Sequence, residues 1–134
     1  MLFFVNHPPD PRPALVVETT TSIDAAVIDR LKQRMLGLGC PNGLLFDADQ
    51  CVLLHDTYSS LEVDSLQEAG RVATNCVLAR LPASSRTLDQ RVLNWLQSMA
   101  SSWSTALPLD GDIAAPFITD VVPAVSGSNI REVA

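Results

Sequence analysis

At 134 residues the chain is one domain by length, long enough to bury a single core. It is 47% hydrophobic and 18% charged, which excludes a disordered chain, and no apolar run approaches the roughly 20 residues of a membrane span. A net charge of −6, with Lys32 the one lysine among nine basic residues, works against a nucleic-acid partner, because phosphate binding normally shows as a basic face.

Leu2–Val5 reads as a short strand. The run from Asn6 to Pro13 carries Pro8, Pro9, Pro11 and Pro13, which fix φ and remove backbone donors, so it is a loop or an edge. Ala14–Glu18 is apolar at successive positions up to its final acid, which suits a central strand covered on both faces. Thr21 or Ser22 can cap a helix running from about Ser22 to Leu38, on which Ile23, Val27, Leu31, Met35 and Leu38 line one face. Gly39 and Pro41 end it.

The apolar runs Gly43–Phe46 and Cys51–Leu54 form a buried hairpin whose acidic turn, Asp47 to Gln50, faces water as a polar turn and not a calcium loop. Leu61–Ser65 alternates like a strand, Gln67–Thr74 is ambiguous, and Asn75–Leu81 allows one or two helical turns. Thr87-Leu88-Asp89-Gln90 is a capping-box pattern opening a helix to about Trp103, with Leu88, Val92, Trp95 or Leu96, Met99 and Trp103 as its apolar stripe. A shorter helical stretch over Asp112–Val125 is broken by Pro116 and Pro123, and Asn129–Val133 returns as a strand. The architecture is α/β, a mixed central sheet of four to five strands flanked by helices, in a single domain with its core in residues 1–66 and a helical part in 67–134.

Cys40, Cys51 and Cys76 are odd in number and lack metal-type spacing, so they read as free thiols in a reducing cytoplasm.

A strand ending in an acid (Leu15-Val16-Val17-Glu18), then a helix with Leu31 and Met35 inward, then Gly43-Leu44-Leu45-Phe46-Asp47, resembles the PD-(D/E)XK nuclease domains. It looks most like the nuclease-type domain in the N-terminal part of type I restriction motor subunits and in small prokaryotic relatives. The resemblance covers about the first 58 residues and implies a restriction-endonuclease-like fold. In such sites two acids bring Mg²⁺ to the scissile phosphate and a lysine orients the attacking water. Carried over by position, Glu18 matches the acid of the motif, Thr19 offers its backbone carbonyl as a further metal ligand, and Asp10 matches the first acid in type.

Thr20 stands where the motif lysine belongs, and a hydroxyl cannot supply that charge. Arg30 and Arg34 occupy helix positions where the related branch carries glutamine and tyrosine. The leading expectation is therefore a non-catalytic domain with a degenerate nuclease-like site and no cofactor, acting as an accessory or protein-binding module. Two alternatives stand beside it. One is an active Mg²⁺-dependent nuclease using Asp10, Glu18 and a migrated Lys32. The other is a small self-associating structural protein, since apolar content and few lysines permit a buried homodimer face. The expected partner is a protein or a second copy, with nucleic acid disfavoured and no membrane.

Overall fold

The computed structural model describes residues 1–78, 87–106 and 121–133, with the side chains of 102–106 outside that description. Six strands, β1 (Leu2–Asn6), β2 (Leu15–Thr19), β3 (Asn42–Phe46), β4 (Gln50–Asp56), β5 (Leu66–Ala73) and β6 (Asn129–Val133), form one sheet in the order β5-β4-β3-β2-β1-β6. Every neighbouring pair is antiparallel except β2 and β3, which run parallel with Glu18 opposite Leu45 and Thr19 opposite Phe46. A parallel pair needs a crossover, and helix α1 (Ala25–Leu38) supplies it.

Because side chains alternate across a strand, the sheet has two buried faces. On one, Val16, Leu45, Val52, Leu54 and Leu66 pack beneath Leu31 and Met35 of α1. On the other, Phe3, Val5, Leu15, Val17, Leu44, Phe46 and Leu53 meet the helices α2 (Thr74–Leu78), α3 (Leu88–Ala106) and α4 (Val122–Val125). This α/β/α layering explains why β2 is buried at every position. At Gly43 a Cβ would come within 2.6 Å of Met35 Sδ, so the glycine lets α1 lie close on β3.

The sheet has six strands where four or five were expected, and strands from the second half of the chain form both its edges. Leu61–Ser65 is not a strand: Val63–Ser65 is a 3-10 turn, Leu61 is 94% exposed, and the strand begins at Leu66. Helix α1 starts later than its apolar pattern suggested. Asp24, not Thr21 or Ser22, is its cap, accepting from Val27 N at 2.9 Å. Ile23 is held before it by a bond from its N–H to Asp47 Oδ2 at 3.2 Å. Gly39 ends α1 at φ 65°, a left-handed conformation that suits glycine. Of the capping-box pattern, the Thr87 cap is present, with Gln90 N donating to Thr87 Oγ1 at 3.4 Å. Val92, Trp95 and Met99 of the α3 stripe are fully buried and Leu88 is half-buried, while the Trp103 side chain lies outside the described residues. So does most of the stretch expected to be helical over Asp112–Val125, of which Val122–Val125 is helix.

Burial separates the three thiols. It pushes Cys40 up to about 11 and raises Cys51 further, whereas Cys76 is exposed on α2. One thiol should therefore react rapidly with a thiol-specific chromogenic disulfide in the native protein, and all three in denaturant. Rapid reaction of two or more thiols without denaturant would contradict this packing.

Candidate functional site

Glu18 lies near the carboxyl end of β2 on the face that α1 covers, in register with Leu2 of β1 and Leu45 of β3. Its side chain is 10% exposed, so an ionised carboxylate here requires compensation. That comes from α1. Arg30 Nη2 donates to Glu18 Oε1 at 2.9 Å, and Arg34 Nη1 lies 3.6 Å from the same oxygen. The two arginines are four residues apart, so one helical flank presents both. Glu18 Oε2 is buried without a hydrogen-bond partner.

Thr19 points to the opposite face. Its hydroxyl donates to Asp89 Oδ1, in the first turn of α3, and its carbonyl accepts from the Met1 ammonium at 3.2 Å. Thr20 continues the parallel pairing by donating its N–H to Phe46 O at 2.8 Å. A cavity of about 460 Å³ opens at these strand ends, lined by Thr19, Thr20, Thr21, Leu88 and Asp89 among others. Crevices of α/β sheets commonly sit there, but Asp89 is the one carboxylate among the described residues of this lining.

Asp10 is elsewhere. It sits exposed in the β1–β2 loop, accepting from Arg12 N at 2.9 Å, and the loop closes where Ala14 N donates to Val5 O. That is the amino end of β2, so Asp10 and Glu18 are separated by the strand length, about 13 Å at roughly 3.3 Å per residue. Lys32 is two residues from Arg30, about 200° around a helix of 3.6 residues per turn, and so on the other flank of α1. Of the residues expected to act together, the structure keeps Glu18 and Thr19 adjacent on one strand but facing opposite ways, and it does not bring Asp10 or Lys32 to them.

These donors do not fit a catalytic Mg²⁺. The ion takes several oxygens in a tight octahedron, commonly including one or two carboxylates. Here one Glu18 oxygen is bound by guanidinium and the second acid is remote. Among the described residues no three His, Cys, Asp or Glu side chains gather as metal ligands.

Sequence reading missed Asp47. Expected in a water-facing turn, it is 7% exposed and accepts from Gln50 N at 2.7 Å, Asp49 N at 2.8 Å and Ile23 N at 3.2 Å. It thereby ties the β3–β4 turn to the segment entering α1. Burial alone would push its carboxyl up, but the N–H donors of Gln50, Asp49 and Ile23, with the charge of Arg71, outweigh burial and hold it below the ordinary 3.8. The native state thus binds this proton more weakly than the unfolded chain. The resulting stability is present above the unfolded value near pH 4 and is lost as pH falls through the depressed native value.

Asp47→Asn places an amide donor against one of these N–H groups. It is expected to lower stability by about 2 kcal/mol at pH 7, with the difference from wild type shrinking by pH 3. Urea unfolding at both pH values checks it, and a difference independent of pH would contradict the assignment.

No protein-family model matches the chain, and neither does any curated protein or solved structure. No described helix is long and apolar enough to cross a membrane.

Proposed function

We propose that this chain is a non-catalytic domain with a degenerate, restriction-endonuclease-like scaffold, acting as an accessory or protein-binding module. The observation that carries the reading is the occupancy of Glu18. One oxygen of the Glu18 carboxylate is held by Arg30 and Arg34 of its own α1, which already balance its charge, and the other acid lies at the far end of β2. Internal cations do here what a metal would do, and they are covalently part of the fold. The parallel β2–α1–β3 unit, flanked by antiparallel β1 and β4, supports the scaffold assignment. Thr20 in place of the motif lysine supports the loss of chemistry.

The test is hydrolysis. Single- and double-stranded DNA and RNA are incubated with the protein in Mg²⁺ and in Mn²⁺. The wild type should cleave no faster than Glu18→Ala. Metal-dependent cleavage that disappears in Glu18→Ala would sink the proposal, and its further loss in Lys32→Ala would assign the chemistry to a migrated lysine.

A further inference from the structure

We infer that the face of β1 and β6 beside α1 is a docking surface for an acidic amphipathic helix of a partner protein. This deepens the protein-binding reading above and rests on it. Helix α1 is the one described helix on its side of the sheet, and its inward residues pack over β2, β3, β4 and the start of β5. On β1, Leu2 and Phe4 pack against the edge of that cluster and stay partly exposed. The register places Val133 opposite Leu2 and Arg131 opposite Phe4, so these four side chains share one face. Leu2, Phe4 and Val133 are half-buried, and the exposed Arg131 guanidinium stands 5.5 Å from the Phe4 ring centre.

Geometry gives this ledge the width of one helix. Adjacent strands lie about 4.8 Å apart, and packed helices lie about 8–10 Å apart. A second helix beside α1 therefore falls about two strands away, over β1 and β6.

Charge gives it a preference. Arg30 and Arg34 project from the flank of α1 that reaches Glu18, with side chains 54% and 34% exposed, and Arg131 lies on the same face of the sheet, on the other side of β1 from Glu18. Arg30 and Arg34 pair with Glu18, and Arg131 stacks on Phe4, so this face carries three arginines in a chain whose net charge is −6. Glu132 points to the opposite face, since it pairs with Phe3 of the other core. Guanidinium forks match carboxylates, and Leu2, Phe4 and Val133 offer apolar contact between them. Phosphates are a poorer match, because three cations release few counterions and the surface between them is apolar.

The probe is a fluorescein-labelled synthetic peptide of about 20 residues, with leucine on one helical face and glutamate on its flanks. A matched peptide carries lysine for glutamate. Anisotropy at low salt should show saturable binding of the glutamate peptide and none of the lysine peptide. Arg131→Glu should weaken binding by about tenfold or more, as expected for reversing an interfacial charge. Arg30→Glu should act in the same direction, and Arg71→Glu on the far strand β5 should leave binding unchanged. A circular-dichroism melt of each variant confirms folding, and Arg131 lies exposed on an edge strand.

No binding of the glutamate peptide, equal binding of both peptides, unchanged affinity in Arg131→Glu, or tighter binding of a duplex oligonucleotide overturns the proposal. A protein partner that binds wild type and Arg131→Glu equally removes this surface but leaves the protein-binding reading standing. Metal-dependent hydrolysis removes that reading itself.

Discussion

Replacing Trp95 by alanine is expected to destabilise the protein by about 4 kcal/mol, the range for removing a large aromatic side chain from a packed core. Trp95 is fully buried in the centre of α3 and meets Phe46 of β3 edge-on, with ring centres 5.7 Å apart and planes at 69°. It packs in the cluster containing Val17, Leu44 and Leu53, so its loss opens a cavity between α3 and the middle of the sheet. Domains of this kind have a total stability of about 5–15 kcal/mol, so the variant loses a large fraction of it. Equilibrium unfolding in urea, followed by circular dichroism, measures the difference. A loss below about 1 kcal/mol would mean that α3 does not rest on the sheet through this side chain.

The paired replacement of Arg30 and Arg34 by methionine should cost about 3 kcal/mol, the lower end for stranding one partner of a buried ion pair, because both arginines are partly exposed. Glu18 would then remain as an uncompensated carboxylate beneath α1. The converse change is asymmetric. Glu18→Met removes the buried charge, including the oxygen Oε2 that has no partner, and leaves the two arginines to turn toward water. Its expected effect is within about 1 kcal/mol of neutral. Adding Glu18→Met to the double arginine variant should recover most of the lost stability, which a mutant cycle measures as a coupling. Additive effects, with no recovery, would show that the arginines stabilise α1 independently of Glu18.

These residues also show what local sequence can carry. Strand β2, helix α1 and the β3–β4 hairpin are legible because their apolar spacing, their prolines and Gly39 agree on where these elements lie, the start of α1 excepted. Strand β5 is not. Gln67, Glu68, Ala69 and Arg71 are exposed, so it shows no clean alternation, and a register shift at Leu53/Leu54 of β4 interrupts the pairing. The cleaner alternation of Leu61–Ser65 belongs to a loop, because side-chain periodicity says nothing about whether a neighbouring strand is in reach.

At the site, the acid ending β2 was legible and its environment was not. Arg30 and Arg34 recur at i and i+4 on the helix that follows Glu18, a spacing that could have suggested an internal ion pair. Asp47 followed by Asp49 and Gln50 is a local Asx-type pattern in which the carboxylate turns inward onto its own loop. The bond between Thr19 and Asp89 spans 70 positions, and no local pattern announces it.

The most direct test of the central claim, that Glu18 is neutralised by arginines and not by a metal, is a calorimetric titration of Mn²⁺ and Mg²⁺ into the wild type and Glu18→Gln. The account predicts no saturable heat at millimolar metal in either protein. Binding by the wild type that disappears in Glu18→Gln would place a metal at Glu18 and contradict it.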